Sequence, residues 1–220
     1  EKMSAPAYQE FSPEAIPGPE TGDAHEVVKV VFREEHLVEP RESRASFDLQ
    51  EYYDHPERYA QRFQHFLPRL TMLVNAVYWD ARYPRLVTKA DLEALWTADA
   101  PPPLKVIGDI SCDVGGSVEA TLRVTDPGTP AFVYDPRDGE ARDGVTGRGV
   151  VIVAVDNLPA ELPREASADF SRVLKDYVPA LAGADMDAED PDLPPPLKKA
   201  LIVHRGKLTE AYRHLEKFLA

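Results

Sequence analysis

Apolar positions along the chain fall into two kinds of run. In GVVIVAVD (149–156) Val150 to Val155 follow one another without polar alternation, the pattern of a strand covered on both faces. TMLVNAVYW (71–79, interrupted by Asn75), LKVIG (104–108) and PAFVYD (130–135) are shorter runs of the same kind, and HEVVKVVF (25–32) is a Val-rich strand candidate. Elsewhere the spacing is helical. Tyr59, Phe63, Phe66, Leu67 and Leu70 recur at i, i+4, i+7 intervals and predict an amphipathic helix within residues 47–70, with Pro56 near its start and Pro68 near its end. Thr88 as N-cap with Asp91 in the first turn predicts a helix over 88–95. Further helices are predicted over 164–183 and around 208–219, the latter with Leu208, Tyr212, Leu215 and Phe218 as an apolar stripe. Residues 1–24, broken by Pro6, Pro13, Pro17, Gly18, Pro19 and Gly22, predict loop, and the acidic, proline-rich 185–196 predicts a connector.

Strands alternating with helices predict an α/β layer fold with a parallel sheet. The 220 residues, 43% hydrophobic and 29% charged, suit a soluble globular chain. A net charge of −13 argues against nucleic acid as the main partner and against an anionic membrane surface. No apolar run is long enough to span a bilayer, and the N-terminal residues lack the layout of a signal peptide. Cys112 is the single cysteine, so no intrachain disulfide forms. The six histidines show no HxxxH or HExxH pairing, which gives no support to a metal site.

In open α/β sheets ligands sit outside the carboxyl ends of the strands. Here TMLV ends on Asn75-Ala76, LKVIG on Asp109, Ile110 and Ser111 followed by Asp113, Gly115 and Gly116, and VVIVAV on Asp156-Asn157. Adjacent and parallel, these tips would form a polar rim beside an apolar floor, the layout of a small-molecule pocket. Asp, Asn, Ser and Gly are also ordinary turn and cap residues, so spacing alone leaves both readings open. Pro159 and Pro163 stiffen the exit after Asp156. Cys112 lies in the rim without an adjacent histidine to activate it. No GxGxxG opens a helix after a strand; Gly144, Gly147 and Gly149 lead into a strand instead.

The strings YYDHPERYAQRF, LVNAVYWDARYPRLVT, LKVIGDISCDVGGSVEAT and AVDNLPAELPREAS occur in this order. With them the chain, from about residue 25 to its end, resembles the saccharopine-forming lysine–2-oxoglutarate reductase region of the α-aminoadipic semialdehyde synthases. It is similar, more distantly, to fungal saccharopine dehydrogenase and to the alanine dehydrogenase–transhydrogenase group. The resemblance implies an NAD(P)-dependent oxidoreductase of lysine metabolism, joining lysine and 2-oxoglutarate into saccharopine or running the reverse. Its fold would be a Rossmann-like doubly wound parallel sheet, of which this chain carries the C-terminal half. The family's acid/base lysine and histidine would lie in a missing N-terminal catalytic domain, in cis or as a separate chain, and its glycine fingerprint in the first half of the nucleotide domain, both preceding this stretch.

On that reading residues 1–46 form an irregular segment with one strand, 47–185 the C-terminal half of the NAD(P)-binding domain, and 186–220 a connector and a helix returning to the missing domain. The resemblance puts Asn75, Ala76, Gly108, Val155, Asp156, Asn157 and Leu158 against NAD or NADP, and Asp109, Ile110 and Ser111 beside the substrate. No catalytic residue and no metal ligand is implied within the chain, which is expected to be inactive alone. The implied compartment is cytoplasmic, or mitochondrial in a eukaryote. An alanine dehydrogenase-type enzyme and a non-catalytic binding subunit are the alternatives.

Overall fold

The structure is a computed structural model that describes residues 8–16, 27–97 and 102–219. Strands β1 (Tyr8–Phe11) and β2 (Val27–Val30) pair in parallel. Helix α1 (Glu34–Leu37) leads into β3 (Val38–Pro40), and α2 (Leu49–Asp54) precedes β4 (Tyr59–Gln61), which is antiparallel to β3. Next come β5 (Met72–Asn75), α3 (Lys89–Thr97), β6 (Val106–Asp109), β7 (Ala131–Tyr134), β8 (Ala141–Asp143) and β9 (Val150–Val153). The chain continues through a 3₁₀ turn (Leu158–Glu161), α4 (Pro163–Leu174), α5 (Val178–Gly183) and α6 (Pro195–Ala200). It closes with the hairpin β10 (Val203–His204) and β11 (Lys207–Leu208) and a 3₁₀ helix, Glu210–Phe218. Two compact units result, Glu1–Leu158 and Pro159–Ala220. Among the described residues no helix is long and apolar enough to cross a membrane.

β5 to β9 form the central sheet in the order β5-β6-β9-β7-β8. β5, β6 and β9 are parallel, whereas β7 runs antiparallel to both β9 and β8. The expected α/β fold is therefore present, with a mostly parallel sheet in which β7 departs by running antiparallel to both its neighbours. For the β7–β8 pair the cause is loop length. A parallel return needs a crossover of a dozen or more residues; β5 and β6 have one in 76–105, containing α3. β7 and β8 are joined only by residues 135–140 and so form a tight antiparallel hairpin; a second connection, 144–149, then carries the chain to the other edge of β7, where β9 pairs antiparallel. Gly149, at φ +128°, is indispensable to the second connection, because a Cβ there would lie 2.0 Å from the Tyr134 carbonyl oxygen.

Rows of residues cross the parallel strands in register. Leu73, Ile107 and Ile152 form one row, buried in the main core with Phe63, Leu67, Leu92, Val118 and Phe132. The next row, Val74, Gly108 and Val153, is on the other face, as is Met72. There Met72 and Val74 are 59% and 61% exposed.

The single helix predicted within 47–70 is not formed. Asp48 caps α2 by accepting the Glu51 N–H (2.7 Å), and the helix ends before Pro56, which opens a separate 3₁₀ turn. β4 then pairs with β3, and two more 3₁₀ turns, Phe63–His65 and Leu67–Arg69, complete the segment. Phe63, Phe66, Leu67 and Leu70 are nonetheless buried, so the spacing marked a buried face without fixing the helix type. α3 forms as predicted: Thr88 Oγ1 accepts the Asp91 N–H (3.1 Å) and Asp91 accepts the Thr88 N–H (2.8 Å).

Other expectations shift. The segment expected as loop over 1–24 holds β1, with the rest of it beyond 8–16 outside the described residues. So do His25 and Glu26 of the first strand candidate and Pro101 before β6. The helix predicted over 164–183 divides into α4 and α5, with Pro179 in the first turn of α5. The predicted connector 185–196 already contains the start of α6. Leu208 belongs to β11, and the terminal helix is of 3₁₀ type.

Candidate functional site

Parallel pairing of β5 with β6 sets Asn75 directly opposite Asp109. Both side chains are 1% exposed. Asn75 Nδ2 donates to Asp109 Oδ1 (2.8 Å) and to Ser117 Oγ (2.8 Å). Ser111 Oγ donates to the same carboxylate oxygen (2.7 Å), and Thr121 Oγ1 donates to Oδ2 (2.6 Å). A carboxylate buried without a cation is tolerable only when donors surround it, and three side chains do so here. The Ile110 N–H donates to the Asn75 carbonyl (2.8 Å), extending the ladder past the strand ends. The side chains of Asn75 and Asp109 are thus spent on fixing the two tips to each other.

What the tips leave open lies just beyond. Ala76, Ile110, Asp156, Asn157 and Leu158 are exposed, Ser111 and Gly108 half-buried, and Val155 buried. Val155 is held by a parallel bridge to Thr125, and Thr125 also accepts the Ala154 N–H (3.2 Å) through its Oγ1. α4 begins at Pro163 with Leu162 as its N-cap, so Asp156 does not cap that helix.

Cys112 joins the tips electrostatically. Its backbone is left-handed (φ 55°), and its thiol lies 3.4 Å from the Asp109 carbonyl oxygen. Burial pushes the thiol pKa above its ordinary value, with the carboxylates of Asp109, Asp156 and Asp113 adding to the effect. The thiol therefore stays protonated near neutrality and is a poor nucleophile. Asp156, beyond β9, and Asp113, beyond β6, thus both bear electrostatically on Cys112.

Three participants were not singled out in the sequence. Ser117 and Thr121 look like ordinary residues of a polar loop, and nothing in their spacing announces that they reach Asn75 and Asp109. Arg85 lies in the segment after β5; its guanidinium donates to the carbonyls of both Gly115 and Gly116 and stacks 4.9 Å from the Trp79 ring centroid.

Gly108 tests whether a flat ligand fits. A Cβ there would meet nothing closer than the Leu73 carbonyl oxygen at 3.9 Å. Protein packing does not demand glycine at this point, and glycine inside a strand is destabilising by about 0.5–1 kcal/mol. A bare stretch of backbone between Val74 and Val153, beside a polar rim, fits the close approach of a nucleotide's planar end.

Residues 42–211 match the C-terminal domain of the alanine dehydrogenase/PNT family. The chain belongs to that family. Among relatives of this alanine dehydrogenase/PNT domain, it is 36% identical to alpha-aminoadipic semialdehyde synthase of Arabidopsis thaliana over 201 residues, covering 91% of this chain and 18% of the relative. It is 34% identical to the mitochondrial alpha-aminoadipic semialdehyde synthase of Mus musculus over 213 residues, covering 90% and 23%. To the NAD(+), L-lysine-forming saccharopine dehydrogenase of Neurospora crassa it is 31% identical over 116 residues, covering 50% and 26%. Among solved structures, an L-alanine dehydrogenase superposes with a TM-score of 0.45 and 25% identity, covering 72% of this chain and 38% of the other. This alanine dehydrogenase/PNT domain thus spans about a quarter or less of the curated relatives' length.

Proposed function

We propose that the chain is the cofactor-facing, C-terminal half of the nucleotide domain of a saccharopine-forming oxidoreductase, joining the ε-amine of lysine to the keto carbon of 2-oxoglutarate. The observation that carries this reading is the convergence of the β5, β6 and β9 tips around the bare backbone of Gly108. The relatives in the semialdehyde synthase and saccharopine dehydrogenase groups support the substrate class. NAD(P)H, when bound, supplies the hydride for reduction. Gly108, flanked by Val74 and Val153, admits its flat end; Ala76 and Leu158 add apolar contact, whereas the Val155 side chain is buried in the protein; Asp156 and Asn157 offer an acceptor and an amide to ribose hydroxyls. Ile110 and Ser111 border the space the substrate takes. The Asn75–Asp109 network keeps the tips from shifting during turnover, which serves catalysis by fixing orientation.

The acid/base groups and the pyrophosphate-binding turn are supplied by a partner domain, in cis or as a separate chain. The exposed apolar face at Met72 and Val74, on the edge strand β5, suits contact with it. The compartment is the cytoplasm, or the mitochondrion in a eukaryote. The 220 residues alone are expected to show no NAD(P)H oxidation with lysine and 2-oxoglutarate, because acid–base groups typically contribute about 10²–10⁴-fold.

In the complete enzyme, Asp156→Asn tests the site. A hydrogen bond to a charged group is worth about 1.5–3 kcal/mol, or roughly ten- to a hundredfold in kcat/KM. The expected result is a kcat/KM at least about tenfold lower with an unchanged melting temperature. Unchanged catalysis would return Asp156 to the role of a turn residue. Turnover of a simple 2-oxo acid with ammonia in place of lysine would assign an alanine dehydrogenase-type reaction, and failure of the complete protein to bind either nucleotide would leave a binding subunit.

A further inference from the structure

Residues 113–116 make a tight turn at the β6 tip. Gly115 is left-handed (φ 60°), and a Cβ on Gly116 would lie 2.5 Å from Asp113 Cβ. The Gly116 N–H donates to the Asp113 carbonyl (2.9 Å) and the Gly115 N–H to the Thr121 carbonyl (2.8 Å). The turn thereby brings the carbonyls of Gly115 and Gly116 to one side. Two converging carbonyl dipoles repel unless a donor meets both. Arg85 meets both, and its planar, permanently charged group can do so while stacked on Trp79. Trp79 is itself held, its Nε1 donating to the carbonyls of Tyr83 (3.0 Å) and Pro84 (3.2 Å). The residues after Arg85 bind the same loop, since the N–H groups of Leu86 and Val87 donate to the Ser117 carbonyl (2.9 and 3.0 Å).

We propose that Arg85 is a positioning residue of the site: by clamping the Gly115 and Gly116 carbonyls it fixes the Asp113–Gly116 turn, and with it the exposed Asp113 carboxylate beyond the β6 tip. Its effect on turnover rests on the function proposed above; its effect on the turn does not.

The complete enzyme is compared as wild type, Arg85→Ala, Arg85→Lys and, as a control at the far edge of the sheet, Arg142→Ala. The first reading is the alkylation rate of Cys112 by iodoacetamide, followed by mass spectrometry of the peptide that contains it. A released turn exposes the thiol, so the rate rises about tenfold in Arg85→Ala. It rises less in Arg85→Lys, whose ammonium is a point charge without the planar fork, and stays at the wild-type value in Arg142→Ala. The second reading is kinetic: kcat falls about tenfold in Arg85→Ala while the KM for the nucleotide stays within about threefold, a split that general loosening of the fold would not give. An unchanged Cys112 rate, or a raised rate with kcat intact, overturns the proposal. If Arg85→Ala does not fold, Arg85→Lys decides on the same two readings. If the wild type does not turn over lysine and 2-oxoglutarate, the functional reading falls, and the Cys112 rate alone decides whether Arg85 holds the turn.

Discussion

Leu73, Ile107 and Ile152 form one row across the parallel strands, and Val74, Gly108 and Val153 form the next. The residue types are alike; the surroundings are not. The first row is packed under aromatic and aliphatic side chains, while the second includes a 61% exposed valine. The two edges of the sheet differ in the same way. On β8, Arg142 pairs with Asp138 (2.6 Å) and Asp143 with Arg123, charges that discourage further strand pairing. On β5 the exposed residues are Met72 and Val74. A sheet meant to keep one face in water alternates apolar with polar residues. This one is apolar on both faces and guarded at only one edge, so its sequence is suited to burial that the described residues do not supply.

Substitutions on either side of that contrast should differ by several kcal/mol. Ile107→Ala, in the filled row, is expected to cost about 2–5 kcal/mol in urea unfolding; a loss below about 1 kcal/mol would mean that the core around it readily collapses. Thr121→Val removes one donor from the buried Asp109 carboxylate and should cost about 1–3 kcal/mol, with Asp109→Asn in the same background showing non-additivity in a double-mutant cycle. Val74→Lys, in the open row, should change the stability of the 220-residue chain by no more than about 0.5 kcal/mol. If the proposed partner domain covers this face, the same lysine in the complete protein would be forced against it, and a measurable drop in melting temperature there is the expected outcome. Equal effects in both proteins would show that the open face stays open.

The strands of the parallel half were legible because unbroken Val/Ile runs have few alternative explanations. Their tips were legible too: Asn75, Asp109 and Asp156 stand where the apolar runs stop. The hairpin was not legible because β8 is a short polar strand, Ala141–Asp143, without an apolar run, and Gly144, Gly147 and Gly149 after it read only as the lack of a nucleotide fingerprint. The helix expected over 47–70 failed because Pro56, and the pairing of β4 with β3, outweighed a spacing that several short 3₁₀ turns satisfy equally well. At the site, the inward commitment of Asn75 and Asp109 was not legible, because the hydroxyls that bind them, Ser117 and Thr121, come from a loop with no period to read.

The antiparallel hairpin also bears on the order in which the sheet assembles. β7 pairs with β8 across residues 135–140 and with β9 across 135–149, whereas Asn75 must find Asp109 across a separation of 34 residues. Closing the longer loop costs more chain entropy, about 0.6 kcal/mol for each doubling of length, and non-local pairing is the slow part of folding. On that ground the charged hairpin edge is the cheapest piece to form and offers β9 as a ready template for β6, then β5. By the same reasoning the tips at Asn75 and Asp109 are expected to meet after the hairpin has formed.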